Sequence, residues 1–385
     1  MERIAEQIIQ WRRHIHENPE RSYEEYETVA FVEKQLSTMP HLQLQRLTDT
    51  SIVATLKGVK KGKCVALRAD LDALPIQEET TVPFKSKVPG MMHSCGHDAH
   101  TAMLLGAAKI LSERGTQFEG EIRFIFQHGE EVAPGGAVDL VSKGVMNHVD
   151  FVFALHVHPS YETGTFAMRS GKMNAAGDDF FIHVYGKGGH AAEPHKTIDP
   201  LFIGTAIVQA LQASIARKIK ATTMPVLSVT MFQCGKVPNI IEDVALIGGT
   251  IRSHDEKVRV ASRQIVEKTA HCIAALHGAT ASVQWQLGCA AVINDKEATE
   301  IGKQVAAKIV GKENVVCIEE PLFVAEDFAA YCEVVPGSIQ LLGVHHEKLG
   351  TAYPLHHAKF MLDESALFLG TQYFTQIAEK ICGKC

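Results

Sequence analysis

Residues 150–158 read Asp-Phe-Val-Phe-Ala-Leu-His-Val-His. From Phe151 to Leu155 the run holds no polar side chain. A strand with one face in water would alternate polar and apolar, whereas a strand covered by helices on both faces is apolar throughout. A second run of this kind, Cys64-Val65-Ala66-Leu67-Arg68-Ala69, lies upstream. Around these two strands, helical and extended patterns alternate. Helices are expected over 3–17, 22–38 (Ser22 as N-cap, Glu25 three places on), about Asp98 to Arg114, and 136–143; strands are expected over 51–57 and 121–127. Alternation of this kind gives an α/β fold: a layered domain with helices packed on a central sheet.

The grammar changes between 178 and 288. The order there is strand 179–185, helix 198–217, strand 226–232, strand 244–251, helix 255–277, strand 279–287. This βαββαβ order is that of the ferredoxin-like split unit. Its second helix is expected to bury Val258, Ala261, Ile265, Cys272 and Leu276, with Gly278 as its stop. The α/β pattern then returns: helix 295–310, strand 314–318, helix 325–333, strand 338–344, helix 362–381. The expected organisation is one domain of residues 1–176 and 289–385, interrupted by an inserted domain of residues 177–288.

Composition narrows the function. The chain has 385 residues, enough for two to three domains at about 150 each. A formal net charge of −6 leaves no basic surplus for a phosphate backbone, so no nucleic-acid partner is expected. No apolar run approaches the ~18 residues of a membrane span, and Met1-Glu2-Arg3 through Trp11-Arg12-Arg13 lacks a signal region. Nine cysteines scattered singly suit reduced thiols and a cytoplasmic location rather than a disulfide framework. Twenty histidines, against 38 lysines and arginines, raise the question of a site.

Polar density concentrates where expected strands end, which is where open α/β sheets bind ligands. Asp70 and Asp72 follow the strand at 64–69 and point the same way if the chain stays extended. Met92-His93-Ser94-Cys95-Gly96-His97-Asp98-Ala99-His100 offers the nitrogen and sulfur ligands that suit zinc and its neighbours. There Asp98 is the expected helix N-cap, and the helix dipole is expected to favour a Cys95 thiolate; His93 and His100 read as flanking or helix-packed residues. Glu130 and Glu131 follow the strand at 121–127, and adjacent carboxylates repel unless a cation is near. His156 leaves the core at the end of the opening strand. Each segment alone has an ordinary structural reading as a capped turn, acidic loop or core histidine. Their coincidence at four strand ends argues a metal site. Neither a Walker loop nor a Gly-x-Ser-x-Gly elbow is present, and the Gly-Lys-Gly-Gly run at 186–189 is no dinucleotide fingerprint.

Taken in order, Arg-Ala-Asp-Leu-Asp-Ala-Leu-Pro (68–75), the segment 92–100, Glu130-Glu131, Leu-His-Val-His-Pro (155–159), Gly-Lys-Gly-Gly-His-Ala-Ala-Glu-Pro-His (186–195) and Leu-His-His (355–357) form a pattern over nearly the whole chain. It resembles the dinuclear-metal amidohydrolases that include hippurate hydrolase, indole-acetyl-amino-acid hydrolases, N-acetyl-diaminopimelate deacetylase and bacterial aminoacylases, relatives of carboxypeptidase G. The resemblance implies metal ligands at Cys95, His97, Glu131, His156 and His356, and Glu130 as general base. It implies two divalent ions, zinc or manganese, with cobalt and nickel as other candidates. It further implies that the inserted domain is a lid and dimerisation unit, that His190 is a hydrogen-bond donor to the transition state, and that Asn239 and Arg252 bind the substrate's carboxylate end. The chain departs from the family pattern at His128-Gly129, where Pro-Ala is usual, and at Ala358 and Glu242, where proline is usual. The first bears on the pocket, the second on the choice between His356 and His357. The expected activity is metal-dependent hydrolysis of the amide bond of N-acyl amino acids. The alternatives are a dipeptidase or carboxypeptidase acting on small peptides, and a non-catalytic metal-dependent binding protein.

Overall fold

The computed structural model describes residues 2–351 and 353–383. The chain runs α1 (Glu2–Glu17), α2 (Tyr26–Ser37), β1 (Leu42–Thr48), β2 (Ser51–Lys57), β3 (Lys60–Asp70), α3 (His97–Arg114), β4 (Glu119–Gln127), α4 (Gly136–Ser142), β5 (Phe151–Glu162), β6 (Phe166–Met168) and β7 (Gly171–Asn174). There follow β8 (Ala176–Tyr185), β9 (Gly189–His190), α5 (Pro200–Lys218), β10 (Val226–Gln233), β11 (Ile240–Ile241), β12 (Val244–Ser253), α6 (Glu256–Leu276) and β13 (Thr280–Leu287). The last elements are β14 (Val292–Asn294), α7 (Lys296–Val310), β15 (Val315–Cys317), α8 (Ala329–Cys332), β16 (Gly337–His345) and α9 (Ala366–Cys382). No helix of the described residues is long and apolar enough to cross a membrane.

Two compact units result: Met1–Met173 with Ile293–Glu320 and Asp327–Cys385, and Asn174–Val292 with Pro321–Glu326. The first is a mixed α/β unit on an eight-stranded sheet ordered β1-β2-β4-β3-β5-β16-β6-β15. Its centre, β4-β3-β5-β16, is parallel throughout. The apolar runs occupy β3 and β5 and are buried on both faces, as their composition requires. On β4, Phe124 and Phe126 enter the main core while Ile125, pointing the other way, is equally buried. Helices α3 and α9 pack on β3, and α4 packs on β4 and α8.

Several boundaries differ from the sequence reading. The second helix begins at Tyr26, because the Ser22 hydroxyl donates to Asp72 instead of capping a helix. The expected helix 325–333 contracts to Ala329–Cys332, with the preceding Asp327 carboxylate accepting from Arg68, Gln127 and the Ala137 amide. The edge strand β1 is an addition to the expected elements, and its Leu42-Gln-Leu-Gln alternates with the period of a half-covered strand.

The second unit carries an antiparallel sheet ordered β10-β12-β8-β13. Its core takes alternate residues of β8 (Phe180, Ile182, Val184), Ile203, Ile207 and Leu211 from α5, and Ile265, Val266, Ala270 and Ala274 from α6. The buried face of α6 is rotated from the expected one: Cys272 and Leu276 are exposed and Arg259 is buried. The buried stripe is Ser262, Ile265, Val266, Thr269, Ala270 and Ala274, and Arg259 joins it through a two-pronged ion pair in which its Nε and Nη2 reach Asp178 at 2.8 and 2.5 Å.

Candidate metal centre

Strands β3 and β4 deliver the site from their carboxyl ends, whereas β5 continues to Glu162 and presents His156 from within its span rather than from the expected strand end. Strand β3 ends in Asp70, with Asp72 two residues on, β4 leads into the loop of Glu130 and Glu131, and β5 carries His156. Arg68 pairs with Ala154 and Asp70 with Gln127, so these groups emerge at one level. His356 arrives on the loop beyond β16, and Cys95 and His97 come from the start of α3.

The turn into α3 depends on Gly96. Its φ is +88°, and a Cβ there would meet Val157 Cγ2 at 2.3 Å. Gly96, rather than Asp98, precedes the first helical residue, and it caps without a side-chain bond. Asp98 is instead fully buried, paired with Arg12 Nε at 2.8 Å and His16 Nδ1 at 2.9 Å.

His97, which is buried, and His156, which is partly buried, are both aimed by their Nδ1. His97 Nδ1 donates to Asp72, at 2.9 Å to the main-chain oxygen and 3.1 Å to Oδ1. His156 Nδ1 donates to the Val157 carbonyl at 2.8 Å. In its neutral form each ring then presents an Nε2 lone pair, the arrangement in which imidazoles bind metal, and a bound cation at His97 would take the place of the Nε2 proton. His156 Nε2 lies 3.4 Å from Cys95 Sγ. His97 Nε2 and Glu131 Oε1 are buried without a hydrogen-bond partner among the described residues, 3.8 Å apart. Glu131 Oε1 also approaches His356 Nε2 at 3.2 Å. Donor atoms of Cys95-His97-His156, of Cys95-Glu131-His356 and of His97-Glu130-Glu131 lie within 4.8 Å of one another inside each group. Three groups that share Cys95, His97 and Glu131 make one cluster. Two buried donor atoms facing each other unbonded are costly unless a cation joins them, so the residues fit a metal.

His100 has no such capacity. Its Nδ1 donates to Asp70 Oδ1 at 2.6 Å and its Nε2 accepts from the Val157 amide at 2.9 Å. His93 is buried, and burial pushes its pKa down to about 4. His357 stacks on Tyr353, and its Nδ1 accepts from the Lys359 amide, whereas His356, held at φ +62° with its amide donating to Ser94 O, faces Glu131. His128 turns away from the donor cluster, edge-on to the Tyr23 ring at 5.2 Å and 3.8 Å from Asp139.

The charges of the site call for a cation. Burial opposes ionisation of Asp70, but His97, His100 and Arg68 outweigh it and hold the carboxyl well below its usual range. Burial likewise disfavours a charged His97, yet Asp70, Asp72 and Glu131 push its pKa up to about 10. Burial raises the Cys95 thiol, and Glu131, Glu130 and Asp70 raise it further. This corrects the expected effect of the helix dipole: burial first, and three nearby acids after it, keep the thiol protonated, and a thiolate here depends on a bound cation. His156 is kept neutral by burial and by His100.

Asp70 and Asp72, marked in the sequence only by their i, i+2 spacing, each orient a histidine: Asp70 holds His100 and Asp72 holds His97. The remaining residues singled out from sequence belong to the second unit. His190 pairs with Ile240 across β9 and β11, exposed, its Nδ1 accepting from the Ala192 amide at 3.0 Å. Asn239 O accepts from the Ala191 amide at 3.1 Å. Arg252, on β12 opposite Gly177, lies where a Cβ on that glycine would collide with its Nη1.

Cysteine, histidine and glutamate donors gathered at the carboxyl edge of a parallel sheet are the equipment of a hydrolase. The chain belongs to the peptidase family M20/M25/M40, whose sequence model matches residues 66–380, and it is a hydrolase acting on amide bonds. It is 42% identical to thermostable carboxypeptidase 2 of Saccharolobus solfataricus over 385 residues, spanning 99% of this chain and 97% of the relative. Over 297 residues it is 46% identical to an N-acyl-L-amino acid amidohydrolase of Geobacillus stearothermophilus, covering 77% of this chain and 80% of that one. A dinuclear metal binding peptidase of the M20 family from Bacillus subtilis superposes with a TM-score of 0.83 at 33% identity, covering 100% of both chains.

Proposed function

We propose that the protein is a metal-dependent amidohydrolase that deacylates N-acyl amino acids. The carrying observation is the pair His97 Nε2 and Glu131 Oε1, buried, unbonded and facing, beside a second acid, Glu130. Cys95, His97, Glu131, His156 and His356 would hold two divalent ions, zinc or manganese being the first candidates. Bound there, the ions supply Lewis-acid polarisation of the amide carbonyl and lower the pKa of water. Glu130, whose Oε1 lies 3.4 Å from the Asp327 amide, takes the water's proton and returns it to the leaving amine. Asp72 and the Val157 carbonyl keep His97 and His156 in the ligating tautomer.

Residues 177–288 act as lid and dimerisation domain to the catalytic domain of 1–176 and 289–385. His190 carries its proton on Nε2, since Nδ1 accepts from Ala192, and donates to the oxyanion. Asn239 and Arg252 bind the substrate carboxylate, for which a guanidinium fork is suited. The likeness to carboxypeptidases favours a second reading, release of a C-terminal residue from small peptides, with the same carboxylate contact.

Chelated enzyme, resupplied with zinc, manganese, cobalt or nickel, should hydrolyse N-acetyl, N-benzoyl or indole-acetyl amino acids faster than dipeptides. The opposite ranking selects the peptidase reading. Glu130→Gln should keep its metal and lose about 10²–10⁴-fold in kcat; near wild-type turnover would remove Glu130 as the base.

A further inference from the structure

The segment just before α2 lies against the loop of Glu130 and Glu131. Glu25 is fully buried, and its Oε1 accepts from the Gly129 amide at 2.7 Å and the Tyr23 amide at 3.0 Å. Tyr23 sits at φ +67°, a conformation side chains rarely adopt. Its ring covers Gly129 so closely that a Cβ there would lie 2.9 Å from Cζ, it meets His128 edge-on, and its hydroxyl donates to Val132 O at 3.4 Å. Two residues beyond Gly129, the Glu131 amide donates to Asp72 Oδ2 at 2.9 Å, the same oxygen that takes the Ser22 hydroxyl at 2.6 Å. The backbone on both sides of Glu130 is thus pinned by the segment Ser22–Glu25 and by Asp72.

Building on the roles assigned to Glu130 and Glu131, we propose that Glu25 is a positioning residue for that pair, with Tyr23 as its packing partner. Two adjacent carboxylates do different work only if the backbone between them is held so that they diverge. The Gly129 amide is the last main-chain donor before Glu130, and Glu25 Oε1 is its acceptor. A leucine would fill this buried space without desolvating an acid. Burial and Asp72 push the Glu25 pKa up to about 8, so the carboxyl is retained at a cost to stability. The positive φ of Tyr23 adds strain at the same place, as is common where geometry serves a site.

The test compares wild type, Glu25→Leu, Glu25→Gln and Tyr23→Ala in three readouts: amide exchange of residues 128–132 in metal-free protein, manganese affinity, and kcat with KM on an N-acetyl amino acid. Glu25→Leu should raise exchange in that loop selectively and lower kcat about tenfold or more with KM little changed, since a misplacement near 1 Å can cost 10²-fold. Glu25→Gln, which keeps an acceptor oxygen, should restore loop protection and most of kcat. Tyr23→Ala should shift the same two readouts less than Glu25→Leu does, and it carries the test if Glu25→Leu does not fold. Unchanged loop exchange and kcat in Glu25→Leu, or exchange raised evenly along the whole chain, would overturn the proposal; so would a Glu25→Gln variant as impaired as Glu25→Leu. Absence of metal-dependent turnover in the wild type would sink the proposed function instead, and the exchange comparison would still decide the role of Glu25.

Discussion

Asp72 is the side chain on which the site's geometry converges. One oxygen holds His97 Nδ1, and the other takes the Ser22 hydroxyl and the Glu131 amide. It therefore aims one proposed ligand by its ring and another by its backbone, without belonging to the donor groups that contain Cys95. An asparagine has one acceptor oxygen, so it must turn its amide nitrogen toward a donor. Asp72→Asn should weaken metal binding about 10–100-fold, the usual cost of losing a partner behind a ligand. Chelator competition measures this, and an unchanged affinity would show that His97 needs no such support. At this scale the chain could be read only in part. Cys95, His97, Glu131 and His156 stand out because soft donors and paired acids are unusual at strand ends. Asp72 was visible as a spacing, but its partners are 25 and 59 residues away along the chain. The choice of His356 over its neighbour rests on a backbone φ and on the place of Glu131, neither of which adjacent histidines reveal.

Elements meet through groups that pattern alone misassigned. Helices α1 and α3 are tied by Asp98, whose single Oδ2 receives both Arg12 and His16. Burial opposes the charge of Asp98, but Arg12 and His16 overcome it and depress its pKa strongly. A carboxyl with a depressed folded pKa contributes stability that is complete above its unfolded value, about 3.9, and is lost as pH falls toward the folded value. Asp98→Asn should therefore destabilise metal-free protein at neutral pH by about 1–3 kcal/mol, because Arg12 and His16 lose a buried acceptor and keep only Glu364 and Glu78 as acid partners. The gap between variant and wild type in urea unfolding should be constant above about pH 4 and narrow progressively as pH falls below it. A gap that is absent at neutral pH, or that does not narrow in acid, would show that the pair is not a stabilising tie. Helix α6 teaches a similar lesson. Apolar residues alone point to a face ending in Cys272 and Leu276, yet the buried face includes Arg259, whose charge is matched by Asp178 on β8.

For the molecule as a whole, cation binding at the proposed ligands would be part of the folding energy. The donor atoms of the cluster are brought together from segments as far apart as Cys95 and His356, so the unfolded chain holds no comparable site. Zinc or manganese at 100-fold its dissociation constant should stabilise metal-free protein by about 2.7 kcal/mol. Thermal scans at fixed protein concentration report this as a rise in Tm, and an unmoved Tm would count against a site of that affinity. The α/β class was legible because burial on both faces of β3 and β5 demands an unbroken apolar run, a constraint local to a few residues. The chemistry was legible for a related reason: metal donors come from a short list of side chains, and the turns that present them are short. Tertiary structure alone decided which of these groups point into the cluster and which, like His100 and Asp98, are consumed in holding it. It also revealed Glu25, more than a hundred residues from the loop it grips. A side chain's chemistry is set by its type, but its partner is set by where the backbone brings other atoms, and that is a property of the packed chain.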